Sequence, residues 1–209
     1  MVDDDILKMK KRFLFALLLA SSWGAAAQEN LYGDSLQAFR ENYLIHHEVV
    51  IGRDKKQLRF FQINSTYRVH ATFEKLTDSV GFIMKTSGTK DKKYYRYGRL
   101  SFTLQGNDLQ LTMYQSHQLM QDSTYNNYLF VPFTDGTSGG TSYAGGRYID
   151  FQVPSVQNGT VLIDFNKAYN PYCAYTTGYN CPIPPRENHL PVPVRSGERN
   201  FRGKIKSRK

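Results

Sequence analysis

The stretch Tyr94–Ser116, YYRYGRLSFTLQGNDLQLTMYQS, decides the fold. Aromatic and aliphatic residues alternate with polar ones on both sides of Gln105-Gly106-Asn107-Asp108. A period of two marks a half-buried strand, and a Gly/Asn/Asp cluster between two such runs marks a tight turn. The stretch therefore reads as two antiparallel strands of a hairpin. The same signal recurs outward in both directions. TYRVHATF (Thr66–Phe73) places Tyr67, Val69, Ala71 and Phe73 on one face, with His70 on the other. SVGFIMKT (Ser79–Thr86) reads as its hairpin partner, across a turn at Thr77-Asp78. Further strands are expected at Tyr128–Phe133, Arg147–Val153 and Thr160–Phe165, the last behind Asn158-Gly159, a strong hairpin signal. Short apolar runs at Leu190–Val194 and Asn200–Ile205 are candidates to close the sheet. Ahead of all these strands, Leu36, Phe39 and Tyr43 recur at helical steps behind Asp34-Ser35, which predicts one helix over Ser35–His46. The expected class is mainly β: a single antiparallel β-barrel or sandwich with one short N-terminal helix. The crossover helices of a parallel α/β fold are missing.

With 40% hydrophobic and 22% charged residues the chain is globular rather than disordered. Its N-terminus reads as a leader. Lys10, Lys11 and Arg12 precede the apolar run Phe13–Ala20, and Ala25-Ala26-Ala27 has the form of a cleavage site. The run is too short to cross a bilayer, so 1–27 is expected to be a secretory signal peptide, with Met9 a second candidate start. The remainder is one β-rich domain over 28–202 and a basic tail over 203–209. Localisation follows as exported, to the periplasm or beyond. The formal net charge is +9, and between Arg195 and Lys209 seven Lys/Arg face one acid, Glu198. A solvated, frayed end explains this best, and peripheral contact with an anionic surface through the tail is the alternative. No nucleic-acid module is present, so DNA and RNA are set aside.

AYNPYCAYTTGYNCPIPPRENHLPVPV (Ala168–Val194) carries both cysteines and six of the eight prolines. In an exported chain Cys173 and Cys181 are most simply a disulfide, and Thr177-Gly178 can turn the chain between them. A zinc site lacks a fourth ligand and a common spacing, and a nucleophilic cysteine needs a free thiol. Pro171, Pro182, Pro184 and Pro185 exclude an interior strand. The expectation is a proline-rich, stapled loop laid across the surface or one end of the sheet, anchored by Tyr169, Tyr172, Tyr175 and Tyr179.

FVPFTDGTSGGTSYAGGRYIDF, followed by VLIDFNKAYNPYCAYTTGYNCPIPPRENHLPVPVRSGE, resembles bacterial domain-of-unknown-function family 1684. The likeness rests on Asp135, Thr137, Gly139, Tyr143, Gly146, Arg147 and Tyr148. It continues in Asp164, Phe165, Asn166, Ala168, Tyr169, Asn170, Pro171, Cys173, Cys181, Pro182, Pro184, Pro185, Glu187 and Asn188. Ser142 interrupts the family's Thr-Tyr pair. The resemblance implies no activity.

Asp135, Arg147, Asp150, Asp164, Asn166 and Glu187 fall in one third of the chain. If the strand ends meet, a carboxylate pair beside Arg147 could divide acid and base roles, with Asp135, Asp164 and Glu187 as catalytic candidates. Turn capping and structural ion pairing explain the same residues and are favoured two to one. The residues expected at a ligand are Arg147, Tyr143, Tyr148, Asn166, Tyr169, Asn170, Tyr175 and Asn188. Thr137–Gly146 lacks the ending of a phosphate loop and reads as a flexible hairpin. His46 and His47 are adjacent and make a poor chelating pair. Asn64-Ser65-Thr66 and Asn158-Gly159-Thr160 fit the glycosylation sequon and are read as turns. No metal or cofactor motif is present. The favoured function is a non-enzymatic module that binds a small-molecule or polysaccharide ligand in a pocket under 168–190. A hydrolase or lyase and a structural envelope protein are the alternatives.

Overall fold

A computed structural model describes residues 29–156 and 159–207. The stretch 1–27, expected to be a leader, lies outside them. The chain divides into two units, Met1–Tyr43 and Leu44–Lys209. A helix runs over 29–46, earlier than expected, because Glu29 to Tyr32 continue the helical stretch and Asp34 and Ser35 sit within it instead of capping it. No helix among the described residues is long and apolar enough to cross a membrane.

The second unit is an eight-stranded sheet. Its strands are β1 (Arg68–Lys75), β2 (Phe82–Met84), β3 (Lys92–Leu104), β4 (Asn107–Ser116), β5 (Tyr128–Asp135), β6 (Arg147–Gln152), β7 (Thr160–Asp164) and β8 (His189–Leu190). They are ordered β6-β5-β4-β3-β1-β7, with β2 beside β3 and β8 parallel to β5. The sheet curls into a half-barrel, and β6 and β7 form its two ends. At Tyr148 the edge of β6 is bridged instead by Tyr169, with paired bonds of 2.9 and 3.0 Å.

The β3–β4 hairpin forms where the sequence places it. Gln105 and Gly106 both have positive φ, 51° and 77°, the backbone of a type I′ turn that matches strand twist. Two expected pairings differ. β2 does not pair with β1. Both lie end to end along β3, where Phe82 faces Tyr94 and Phe73 faces Leu100. The loop between them is held by the Asp78 carboxylate, which accepts from Gly81 N and Arg96 N, so the chain bends there without reversing. Nor does β7 pair with β6, despite Asn158-Gly159. It pairs with β1, Val69 against Ile163, which places one face of both strands in the core.

The inner face is apolar. Leu100, Phe102, Leu109, Leu111, Met113, Leu129, Val131, Phe133, Ile149, Val161, Ile163 and Phe165 form one buried cluster with Ala71 and Tyr67. The outer face of β3–β6 carries a second, aromatic cluster: Met84, Tyr94, Tyr114, Phe130 and Tyr148, joined by Phe82, Tyr128 and Tyr169. A bulge lets β3 serve both. Register slips between Arg96 and Gly98, so even-numbered residues point outward before it and inward after it. A Cβ at Gly98 would fall 2.1 Å from the Phe73 ring and 3.0 Å from Glu74 O, so any other residue there forces the ring aside.

Segment 168–190 is pinned at several points. Cys173 and Cys181 form a disulfide with Cα atoms 6.3 Å apart. Pro171 and Pro185, at φ near −60°, cap 3-10 turns Tyr172–Ala174 and Arg186–Asn188. Cys181 O and Lys85 O take bonds from Ser87 N and Ile183 N, which tie the segment to the chain after β2. From there it crosses the outer aromatic face: Tyr148 Oη donates to Pro182 O, and Tyr114 Oη donates to Glu187.

Candidate functional site

The expected site residues separate into three places. Arg147 alternates with outward-facing Tyr148 on β6, so its side chain enters the inner side, where it is fully buried. It pairs with Asp135 at 2.8 Å and donates to the carbonyls of Val194 (2.8 Å), Ser196 and Glu198 (3.2 Å). Asp135 also accepts from Thr137 N, Thr137 Oγ1 and Val194 N. Burial pulls the Arg147 pKa below its ordinary value, and the Asp135 charge opposes that pull. Both side chains have zero exposure, so no group of this pair meets solvent. What caps Arg147 is the C-terminal segment 194–198, while segment 182–187 lies on the opposite face. Both terminal nitrogens of the guanidinium and both carboxylate oxygens are engaged, while Arg147 Nε is buried without a partner, and a pair so enclosed by the fold's own groups is an element of architecture.

Asp164 and Asn166 occupy a second place. Asp164 caps a 3-10 turn by accepting from Asn166 N and Asn166 Nδ2, and the Asn166 amide also exchanges bonds with the backbone of Asn64. Nearby, Glu198 is buried among Asn170 N (2.9 Å) and Tyr175 Oη (2.6 Å), and Asn170 Nδ2 reaches Arg199 O. Sequence reasoning missed Glu198. Its only signal is being a lone acid in a basic run. Tyr143 is half-buried, with its hydroxyl on Cys173 O.

Asn188 has a separate structural role. Its amide accepts from Thr112 N and donates to Thr112 O and Pro132 O, at 2.7–2.8 Å. Pro132 has no N–H to offer, so β4 and β5 cannot complete their ladder at that point. The buried amide of Asn188 fills the gap in place of a backbone group.

The third place is the outer face. Registers Asp150–Phe130, Phe130–Tyr114 and Tyr114–Arg96 set these four residues in one row across β6, β5, β4 and β3. At one end Glu187 bonds Arg96 Nε (2.9 Å) and Tyr114 Oη (2.8 Å). Burial raises the Glu187 pKa, but the bonds from Arg96 and Tyr114 outweigh it and the net shift is downward. At the other end Asp150 is exposed, yet its Oδ1 accepts from Tyr128 Oη at 2.6 Å and Tyr169 Oη at 2.7 Å. Surrounding rings strip water from this carboxylate and raise its pKa, against the two hydroxyl bonds that lower it. Burial likewise pushes the phenols of Tyr128, Tyr148 and Tyr169 well above their ordinary value. The structure thus brings together Tyr148, Tyr169 and Asp150, and adds Tyr128, which sequence reasoning missed. Tyr128 is detectable only once β5 and β6 are known to be neighbours.

Asp135, Asp164 and Glu187 do not form one constellation. Among the described residues no group of three or more His, Cys, Asp or Glu could hold a metal. A shallow depression of about 340 Å³ lies on the β3–β4 hairpin, lined by residues such as Phe102, Asp108 and Gln110, and none of the expected site residues borders it.

The family described as "Protein of unknown function (DUF1684)" matches residues 54–199. The chain belongs to that family. The matched span contains every strand of the sheet, the disulfide and the Arg147–Asp135 pair. A solved relative is the uncharacterized protein from gene locus rrnAC0354 of Haloarcula marismortui, determined by solution NMR. It is 31% identical over 82% of this chain and 96% of its own, with a TM-score of 0.62. No curated protein matches the sequence.

Proposed function

We propose that this protein is an exported, non-enzymatic binding module whose ligand rests on the outer face of the sheet at Asp150, beside segment 168–190. The observation that carries the reading is the Asp150 carboxylate. The residue is exposed, its carboxylate is partly desolvated by the aromatic rings around it, and Oδ1 already holds two hydroxyl groups. Oδ2 accepts no hydrogen bond among the described residues and is the acceptor left for a ligand. A carboxylate edged by Tyr128, Tyr148 and Tyr169 suits a saccharide-like ligand, which offers hydroxyl donors on a ring with an apolar face. Catalysis by Asp135 and Asp164 is disfavoured because Asp135 is sealed in its pair with Arg147 and Asp164 is buried as the cap of the turn at Asn166. Export is supported by the leader pattern of 10–27 and by the Cys173–Cys181 disulfide.

The test is amide chemical-shift mapping while the chain without its leader is titrated with mono- and oligosaccharides, and with alkylammonium ions in a parallel series. Shifts concentrated at 128–130, 148–150 and 169 with a saccharide support the reading. Shifts there with the ammonium series alone would replace the ligand class. Shifts elsewhere, or none, would overturn the site.

A further inference from the structure

A cluster of arginines lies away from the outer face. Phe60 and Glu198 form an isolated antiparallel bridge, flanked by Arg199 N to Arg59 O at 2.8 Å and Phe61 N to Gly197 O at 2.9 Å. In that register Arg59 stands directly opposite Arg199, and directly opposed residues share a face. Glu198, one position away, turns to the other face and is buried. Arg202 joins from the next turn of chain, its N–H on Gln57 O at 3.3 Å. Among the described residues none of the three arginines forms an ion pair with a carboxylate.

Local packing holds Arg199. The Arg199 guanidinium lies over the Phe61 ring at 5.2 Å, and its Nε is buried without a hydrogen-bond partner. Burial, followed by the charges of Arg202 and Arg199, lowers the Arg59 pKa. Like charges placed opposite each other destabilise a strand pair. Arg59 and Arg199 opposed on one face, with Arg202 near enough to add its charge, therefore repel one another until an anion arrives.

We propose that Arg59, Arg199 and Arg202 form a receptor for a tetrahedral oxyanion of the phosphate or sulfate type, free or as an ester. Guanidinium forks match the oxygen geometry of such anions, and a doubly charged anion cancels the repulsion within the cluster. This site is independent of the Asp150 face: the arginines are on chain segments outside the sheet, and their ligand has the opposite character.

The experiment compares melting temperatures of the chain without its leader in chloride and in inorganic phosphate at matched ionic strength. Phosphate is expected to raise the wild-type melting temperature by several degrees, saturably. Arg59→Gln and Arg202→Gln should each weaken the apparent phosphate affinity about tenfold or more, the scale of one lost charge-assisted contact. In chloride alone both variants should be at least as stable as wild type, because repulsion is relieved. That reversal separates a receptor from a purely structural role. Arg199 is left intact, since its packing on Phe61 could confound folding. A phosphate shift equal in all three proteins overturns the proposal. So does the lack of a wild-type shift beyond chloride, or variants that are less stable in chloride. A sedimentation arm with phosphatidic acid in phosphatidylcholine vesicles distinguishes the source. Pelleting that inorganic phosphate competes away assigns a lipid headgroup, and saturable phosphate binding without pelleting assigns a soluble anion.

Discussion

Replacing Arg147 by Met should detach the C-terminal segment from the sheet. The guanidinium serves four acceptors: the Asp135 carboxylate and the carbonyls of Val194, Ser196 and Glu198. Met keeps much of the volume and removes every donor. Asp135 then remains buried as an unpaired carboxylate, and three carbonyls lose a partner. Breaking a buried pair from one side costs about 3–5 kcal/mol, a large part of the roughly 5–15 kcal/mol that holds a domain of this size together. Urea unfolding at constant m-value gives the magnitude. Amide hydrogen exchange gives the location: protection should be lost at Glu198 N and Arg199 N, which bond Ala168 O and Arg59 O. The double variant Arg147→Met/Asp135→Asn should recover part of the loss, because the uncompensated charge is gone. A single-variant cost below about 1 kcal/mol, or unchanged protection at 198–199, would refute the view that this pair is the clasp.

Three further outcomes follow from the same structure. His47 is buried with Nδ1 accepting from Val50 N at 3.0 Å, and its pKa is lowered to about 4, chiefly by burial and then by Lys55. Its unfolded value is near 6.5, so the folded state binds fewer protons between those limits. Stability should fall as pH drops from about 6.5 to 4, by roughly 3 kcal/mol, and His47→Gln should flatten that slope in a pH series of unfolding curves. Reducing Cys173–Cys181 frees the loop it closes in the unfolded chain and should cost about 2–3 kcal/mol on the loop-entropy account, read as a lower urea midpoint with reductant. Asn188→Ala leaves Thr112 N and O and Pro132 O unpaired where β4 and β5 splay, and should cost at least about 2 kcal/mol, with exchange rising at Thr112 N.

Local signals were readable in the sequence and distant pairings were not. Gln105-Gly106 sits between two alternating runs, so both the turn and its strands could be placed. Period-two spacing also assigned Tyr67 and Ala71 to the buried side. Strand order escaped, because Asn158-Gly159 and Thr77-Asp78 announce turns without saying which strand comes next. The bulge at Arg96–Gly98 inverts the faces of β3, and a Cβ-sized gap at Phe73 leaves no trace in the local pattern. At the candidate site, Arg147 and Asp135 stood in one group with Asp150, Asp164, Asn166 and Glu187, and the structure pairs Arg147 with Asp135. Their carbonyl partners, however, come from 194–198, and backbone acceptors have no residue identity to read. Asp150 was in view, but its tyrosines become its neighbours only through the β5–β6 register and the Tyr148–Tyr169 bridge.

Asp150→Asn, with saccharide affinity and melting temperature measured on the same preparation, tests the binding role of the outer face most directly. The expected result is affinity weakened about tenfold or more, with a melting temperature within a few degrees of wild type, since the Asn oxygen still accepts from Tyr128 and Tyr169 while the second acceptor becomes a donor. Unchanged affinity, or a large fall in melting temperature with binding intact, would contradict it.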